Sequence, residues 1–257
     1  MIASWCRIPS RPNFGDALTP WLIERITGRP PRFLPPGDAR PKHFVTGSVI
    51  ALAGSGDTVW GAGILSRDDT VSPDICIRAV RGPLTRRRAR ACGADCPEVY
   101  GDPALLLPRF YRPPPGPRRG VGVVPHFSDM PRLAAAWPRS DELRLIDIQA
   151  PITDVIDAIA ECELVASSSL HGIIAGHAYG VPAVWLKFGD LPSGDDSKFH
   201  DYSLAVGLGP AQPLRLGYGE IATAALQPHA TLPARIDTEP LWRACPFAPQ
   251  PGGAPWT

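Results

Sequence analysis

One short run of the chain places polar side chains where a strand meets a helix. Residues 163–166 form an apolar strand, small hydroxyl residues follow, and His171 falls in the first turn of an apolar helix. A helix N-terminus carries unpaired N–H groups and a partial positive charge, so it attracts phosphate or carboxylate. An imidazole there suggests chemistry on an anion. In the structural interpretation, Ser168 and Ser169 only cap the helix and His171 lies on the surface.

A second candidate anion site precedes a short helix in the first half of the chain. Arg81 follows an apolar strand directly, and Pro83 and Gly93 mark the beginning and the end of the helix. A planar guanidinium at such a turn can hold a phosphate or carboxylate through two hydrogen bonds. The arginines at 86–90 point around the helix, and we expect most of them to face solvent.

Carboxylates and a lysine complete the set of candidate chemical groups. Asn13, Gly15 and Asp16 lie in a loop before the first helix. Asn13 or Asp16 caps this helix in the structural interpretation, whereas in the functional one Asp16 accepts hydrogen bonds from sugar hydroxyls or acts as a general base. Asp102 lies in a Gly-Asp-Pro turn and is predicted to be structural, and Lys198 could add a cation to a cleft.

Composition limits the classes of partner. The 257 residues are 44% hydrophobic, enough for one large α/β domain or two small ones. A formal net charge of +1 and the lack of a DNA-reading motif argue against nucleic acid. No apolar run approaches the roughly 18 residues that span a bilayer, and the first residues do not resemble a signal peptide, so we expect a cytoplasmic protein. The six cysteines are scattered, which favours reduced thiols over a metal site.

The second half of the chain alternates short apolar strands with helices. Strands are predicted at 120–124, 143–148, 163–166 and 181–186, and helices at 130–137, 152–159 and 170–179. This alternation predicts a parallel sheet covered by helices. Ligands bind at the carboxyl ends of such strands, where His126, the turn before His171 and Lys187 should meet.

The first half has a less regular pattern. Its first helix is predicted from Leu18, with Thr19 as N-cap and Pro20 at the first helical position. Strands are expected at 44–50, 58–60 and 75–80, without the glycine order of a dinucleotide site. The proline-rich residues 108–117 suggest a stiff linker, which divides the chain into residues 1–112, residues 113–227 and a Pro/Gly-rich tail at 228–257.

Taken together, these segments resemble the polysaccharide pyruvyl transferase family, in particular its short bacterial exopolysaccharide members. The matching segments run in family order and are 13–16, 59–63, 80–85, 101–104, 124–129, 167–172 and 198–202. The resemblance implies an α/β fold of two Rossmann-like halves, with mostly parallel sheets facing across a cleft as in GT-B glycosyltransferases. The first half would serve the acceptor and the second half the phosphate of the donor.

The resemblance also implies the reaction and its partners. Phosphoenolpyruvate is the expected donor substrate, with no cofactor and no metal. A sugar of a growing polysaccharide, free or lipid-linked, is the expected acceptor, and it receives pyruvate as a ketal while phosphate leaves. A lipid-linked acceptor would place the protein at the inner face of the membrane. A homo-oligomer is compatible with the sequence.

Roles follow for individual residues. His171 is the candidate general acid or phosphate clamp, Arg81 the anion clamp, and Asp16 the base or acceptor contact. The helix N-terminus disfavours a protonated imidazole, so both roles of His171 stay open. The expected substrate-binding residues are Asn13, Gly15, His126, Ser168, Ser169, Lys187 and Lys198.

Two other functions compete with this interpretation. One is a glycosyltransferase of the same architecture that uses a nucleotide sugar, although no acidic residue is evidently placed to bind a ribose. The other is a carbohydrate- or anion-binding protein without catalysis, for which replacing His171 or Arg81 would weaken binding only.

Overall fold

Two parallel sheets organise the chain in the computed structural model, which describes residues 1–7, 11–137, 140–189 and 194–248. The first sheet has the order β2-β1-β3-β4-β5 and consists of β1 (Ile2–Ser4), β2 (Arg32–Phe33), β3 (His43–Phe44), β4 (Thr58–Trp60) and β5 (Cys76–Ala79). The second has the order β10-β9-β8-β6-β7 and consists of β6 (Val121–Val124), β7 (Leu143–Leu145), β8 (Leu164–Ser167), β9 (Ala183–Lys187) and β10 (Leu214–Arg215). Strands within each sheet pair in parallel, which confirms the predicted fold class.

Helices connect the strands. They are α1 (Phe14–Thr27), α2 (Pro83–Ala91), α3 (Met130–Ala135), α4 (Ile152–Ala160), α5 (Leu170–Ala178), α6 (Ser197–Ala205), α7 (Thr223–Leu226) and α8 (Glu239–Arg243). Short 3₁₀ helices occupy Ile50–Leu52, Pro103–Arg109 and Gln227–His229. Within the described ranges, none of the helices has the length and apolar character needed to cross a membrane.

The alternation predicted for the second half is confirmed, with boundaries that differ by a few residues. Strands β6, β8 and β9 are buried along their whole length. Parallel strands covered by helices on both faces have this continuous apolar character. Their neighbouring positions in the sheet bring the segments after Val124, Ser167 and Lys187 to one edge.

The start predicted at Thr19 and Pro20 is wrong, whereas the alternative cap at Asn13 is confirmed. Helix α1 begins at Phe14, and the carboxamide of Asn13 caps it, so that Pro20 lies inside the helix. The hydroxyl of Thr19 does not cap; it is buried 2.8 Å from the hydroxyl of Thr46 on the turn after β3. The Thr19 hydroxyl, which the local pattern assigned to the helix cap, therefore forms a buried tertiary hydrogen bond with Thr46 instead.

The strand predicted at 44–50 is also shorter than expected. Strand β3 ends at Phe44, and Gly47 turns the chain with a φ of 95°, a left-handed conformation that favours glycine. Strands β1 and β2 were not predicted, because runs of three and two residues are too short to show a period. Within the proline-rich residues 108–117, Pro108 and Arg109 end the 3₁₀ helix Pro103–Arg109, and residues 111–117 form neither helix nor strand.

The two halves share one apolar core. Phe14 and Leu18 of α1 pack in the same buried cluster as Leu105 of the 3₁₀ helix Pro103–Arg109 and Ile174 of α5. The backbone also ties the halves together, since the N–H of Phe14 donates to the carbonyl of Ile148 at 2.7 Å. The N-terminus of α1 is thereby held against the second half.

Part of the predicted tail packs into the first half. Leu241 and Phe247 are buried in a cluster with Trp60 at the end of β4. The indole N–H of Trp60 donates to the carbonyl of Leu241 at 2.9 Å, and the rings of Trp60 and Phe247 meet edge to face. The described end of the chain thus completes the core of the first sheet.

Candidate functional site

The turn into α5 is organised by Ser167. Its hydroxyl lies 2.6 Å from the carbonyl of Val124 and 2.7 Å from that of Ser169, and it accepts the N–H of Ser169 at 3.0 Å. Ser169 is at the N-cap position, but no side chain caps α5. The capping by serine that the structural interpretation predicts is therefore absent, and the N-terminus of α5, next to His171, can attract an anion.

His126 lies beside this turn. Its backbone N–H donates to the hydroxyl of Ser168 at 2.8 Å, and that hydroxyl donates to the carboxylate of Asp129 at 2.7 Å. Burial and, to a lesser extent, the charge of Lys198 lower the pKa of His126 to about 4, against the opposing effect of Asp129. The imidazole of His126 is therefore neutral at neutral pH, and it can form a hydrogen bond to a ligand without supplying a charge.

The N-terminus of α1 supplies a carboxyl group. Asn13 accepts the N–H groups of Gly15 at 3.1 Å and Asp16 at 3.4 Å, and its amide donates to the Asp16 carboxylate. Burial raises the pKa of Asp16 to about 6, against the opposing effects of His171, Asn13 and Lys198. A carboxyl group with this pKa exchanges protons near neutral pH, as a general acid or base requires.

His171 lies directly against the first turn of α1. A Cβ atom placed on Gly15 would overlap Nδ1 of the imidazole, so glycine allows the ring to approach the backbone. On the other side, Nε2 of His171 faces Oδ2 of Asp102 at 3.4 Å. Asp102 is fully buried, and its Oδ1 accepts the N–H of Ala104 at 3.0 Å, capping the 3₁₀ helix Pro103–Arg109.

Lys198 adds a cation in the first turn of α6. Burial and, to a lesser extent, the charge of Arg81 lower its pKa to about 8, against the opposing effects of Asp196 and Asp16. Its charge lowers the pKa of Asp16 in the first half and of His126 in the second half. The site thus combines one ammonium group with an uncapped helix N-terminus.

Arg81 occupies the predicted strand-to-helix turn but is not open to a substrate. Its side chain is 0% exposed, and Nε lies 3.2 Å from the Asp201 carboxylate. Nη1 donates to the hydroxyl of Ser48 at 2.7 Å, and Nη2 donates to the carbonyl of Ile64. This corrects the expected role of Arg81, because every nitrogen of the enclosed guanidinium has a protein partner.

The anion bound at that turn belongs to the protein. Asp201 of α6 accepts the N–H groups of Leu84 at 2.9 Å and Thr85 at 3.0 Å, and the Thr85 hydroxyl at 2.6 Å. These are the first-turn groups of α2, which has no cap of its own. The turn therefore binds an anion, but that anion is the carboxylate of Asp201. This contact docks α6, which carries Lys198, on the first half.

Lys187 lies at the end of β9, as predicted, but its ammonium group is paired with the carboxylate of Asp196. The residue is 8% exposed, and its Nζ lies 2.8 and 2.7 Å from the two carboxylate oxygens of Asp196. Asp196 immediately precedes α6. Lys187 therefore anchors the beginning of α6 to the sheet.

The structure brings most of the predicted site together at the junction of the halves. The grouped residues are Asn13, Gly15, Asp16, His126, Ser168, Ser169, His171 and Lys198. Arg81 and Lys187 do not belong to this group; they pair with Asp201 and Asp196 and hold α6 in place. Among the described residues, no group of three or more His, Cys, Asp and Glu side chains is arranged to hold a metal ion.

Sequence reasoning missed the carboxylates that pair with these groups. The sequence predicts a structural role for Asp102, and its cap is present, but its second oxygen faces His171. Asp129, Asp196 and Asp201 were given no role. Asp102, Asp129 and Asp201 lie in segments that carry the family resemblance, yet nothing in their local pattern indicates partners so distant in the chain.

Comparison with known proteins identifies a family. A family model described as polysaccharide pyruvyl transferase matches residues 59–188, half of the chain. The chain belongs to this family. The matched part includes His126, the α5 turn with His171, and Asp102, while Asp16 and Lys198 lie outside it.

Two curated relatives extend the family match. The chain is 31% identical over 176 residues to the uncharacterised protein L143 of Acanthamoeba polyphaga mimivirus, covering 65% of this chain and 61% of the relative. It is 30% identical over 220 residues to the succinoglycan biosynthesis protein ExoV of Rhizobium meliloti (strain 1021), covering 76% of this chain and 62% of the relative. The chain thus spans about three fifths of the length of these relatives. No solved structure matches it significantly.

Proposed function

We propose that the protein transfers the pyruvyl group of phosphoenolpyruvate to two hydroxyls of a sugar in a surface or secreted polysaccharide, forming a ketal and releasing phosphate. Membership of the family and similarity to a succinoglycan biosynthesis protein support this substrate class. The observation that carries the proposal is the grouping of Asp16, whose pKa burial raises to about 6, with His171 at an uncapped helix N-terminus. This grouping joins an acid–base pair to an anion site.

The charges at the junction suit a donor with two anionic groups. Phosphoenolpyruvate carries a phosphate and a carboxylate. The N-terminus of α5 and the ammonium of Lys198 are two positive features that can face them. The neutral imidazole of His126 adds a hydrogen bond rather than a charge. Arg81 takes no part in binding, because Asp201 neutralises it within the fold.

The proton balance of the reaction requires one acid and one base. The methylene carbon of phosphoenolpyruvate gains a proton, and the first sugar hydroxyl adds to the resulting oxocarbenium-like carbon as it loses its own proton. Breaking the bond to the phosphate oxygen regenerates an electrophilic carbon. The second hydroxyl then closes the ketal, and its proton leaves with the phosphate. His171 is the proposed donor and Asp16 the proposed acceptor, each worth about 10²- to 10⁴-fold.

Partial burial of the site strengthens these interactions. Asp16 and Lys198 both have a pKa moved towards neutrality by burial. In a medium of low dielectric constant, fixed charges and dipoles stabilise a developing charge more strongly than water does. Most of the proposed rate enhancement therefore comes from the position of the donor between the two helix N-termini and Lys198.

Ligand binding and turnover distinguish this proposal from its competitors. The protein is mixed separately with phosphoenolpyruvate and with nucleotide sugars, and its thermal unfolding midpoint is measured; the ligand of the folded state raises the midpoint. Galactosides, glucosides and lipid-linked repeat fragments are then added, and phosphate and acceptor mass are followed. We expect stabilisation by phosphoenolpyruvate and phosphate release with an acceptor. Sugar transfer from a nucleotide sugar, or binding of phosphoenolpyruvate without turnover of any acceptor, contradicts the proposal.

A further inference from the structure

Two buried polar atoms at the junction of the halves face each other without any other partner. They are Nε2 of His171 and Oδ2 of Asp102, 3.4 Å apart. Each is among the few buried side-chain atoms of the described residues that form no hydrogen bond. Their separation is slightly longer than a normal N–H···O bond, and a small movement of either side chain would close it.

The carboxylate of Asp102 has little other compensation. Its side chain is 0% exposed, and only Oδ1 is engaged, by the N–H of Ala104. Leaving a buried carboxylate oxygen without a donor carries a large desolvation cost. The atom that faces Oδ2 is a ring nitrogen, which donates only when it carries hydrogen. The arrangement therefore favours hydrogen on Nε2 of His171.

The other ring nitrogen is directed elsewhere. Nδ1 lies against the backbone of Gly15, next to Asp16 in the first turn of α1. It is not among the buried atoms that lack a partner, in contrast to Nε2. With hydrogen fixed on Nε2, Nδ1 is the nitrogen that can gain or release a proton toward the site.

We propose that Asp102 is a positioning residue that holds hydrogen on Nε2 of His171, so that the imidazole exchanges its catalytic proton through Nδ1. In the protonated ring both nitrogens carry hydrogen; donation from Nδ1 to the substrate leaves the neutral ring with its hydrogen on Nε2, still bonded to Asp102. The identity of the proton acceptor rests on the proposed function. The hydrogen position itself does not.

The pair also links the two halves of the molecule. Asp102 begins the 3₁₀ helix Pro103–Arg109 after the first sheet, whereas His171 belongs to α5 of the second. Leu105 and Leu170 lie in the same buried cluster where these helices pack together. The hydrogen position of an imidazole in one half is therefore set by a carboxylate that the other half supplies.

Nitrogen-15 NMR of the full chain with labelled histidine tests the hydrogen position without any substrate. The His171 signals are assigned by their loss in His171→Gln. We expect hydrogen on Nε2 in the neutral ring of the wild type, and in Asp102→Asn a population with hydrogen on Nδ1. Asp57→Asn is the matched control, because Asp57 is also buried and paired, with Lys42, but lies away from His171. It should leave the His171 signals unchanged.

Kinetics give a second readout. Asp102→Asn should lower kcat about 10²-fold while changing KM for phosphoenolpyruvate less than about threefold, and it should cause no further loss in a His171→Gln background. Hydrogen on Nδ1 in the wild-type ring overturns the inference, even if Asp102→Asn does not fold. So does a folded Asp102→Asn with unchanged His171 signals. If the signals behave as expected but phosphoenolpyruvate is not turned over, the proposed function fails and the inference stands.

Discussion

Asp16 and Lys198 are oppositely charged groups whose proton equilibria are moved towards neutral pH by burial. The pKa of Asp16 is raised to about 6 and that of Lys198 is lowered to about 8. Neither shift could be predicted from the sequence, because each depends on elements from both halves. The sequence did identify Asp16, Lys198 and His171 as candidates, since residue type and position after a strand or before a helix are local properties. Their carboxylate partners depend on the fold and were missed.

These two groups, together with the proposed proton donor His171, shape the pH dependence of kcat/KM. Asp16 must be ionised to accept a proton, so activity should rise with pH through about 6. Lys198 must be charged to hold an anion, so activity should fall as pH rises through about 8. Rates measured across this range should be bell-shaped. Asp16→Asn should lose the acidic limb and Lys198→Arg the alkaline one; an acidic limb that persists in Asp16→Asn would contradict the role of Asp16.

Replacing Asp16 should separate stability from activity. Because its pKa is higher in the folded protein than the ordinary 3.8, its contribution to stability is full below that pH and is lost as pH rises through about 6. At pH 8 the ionised group is therefore unfavourable for folding, and Asp16→Asn should unfold at an equal or higher temperature while activity falls about 10²-fold or more. The gain should vanish at pH 4. A lower midpoint at pH 8 would show that the charge stabilises the fold.

At the scale of elements, one helix N-terminus forms part of the site and another binds the helix that carries Lys198. Helix α5 is uncapped and faces the site, whereas the first turn of α2 is occupied by Asp201. Sequence periodicity predicted α4 and α5 because their apolar spacing is local. It misplaced the start of α1, where the cap at Asn13 precedes an interior proline. It also could not distinguish a helix N-terminus open to a ligand from one already filled.

The contact between α1 and α5 can be tested at Gly15. In Gly15→Ala the new methyl group would overlap the imidazole of His171 and displace it from the site. We expect kcat to fall about 10²-fold, since small misplacements of a catalytic group have effects of this size. The control is Gly37→Ala, where a Cβ meets nothing within 4 Å. Full activity in Gly15→Ala would exclude a catalytic His171 in this position.

The buried pair between Arg81, in the turn before α2, and Asp201 of α6 should matter for stability. Arg81→Met leaves the Asp201 carboxylate buried without its guanidinium partner, and we expect the free energy of unfolding in urea to fall by about 3–5 kcal/mol. Arg67→Met removes an exposed pair with Asp195, where the Arg67 side chain is 77% exposed, and should change it by about 1 kcal/mol or less. Equal stability in Arg81→Met and wild type would instead favour a direct role for Arg81 in substrate binding.

At the scale of the whole molecule, the reacting groups meet because α1 and the 3₁₀ helix Pro103–Arg109 of the first half pack in one core with the second sheet and its helices. The alternating pattern of the second half and the order of the family motifs were enough to predict two α/β halves. The contacts of α1 and Asp102 with α5 join segments far apart in the chain, and no local pattern encodes them. The burial of Leu241 and Phe247 beside Trp60 was equally invisible in a segment rich in proline and glycine.

The fate of the enol carbon is the most direct test of the proposed reaction. The full chain is incubated with a sugar acceptor and phosphoenolpyruvate labelled with carbon-13 at that carbon, and phosphate is measured in the same sample. We predict a quaternary ketal signal on the acceptor in an amount equal to the phosphate released, absent with His171→Gln. Phosphate accompanied by free labelled pyruvate, or an acceptor that stays unlabelled with every sugar tested, would contradict pyruvyl transfer.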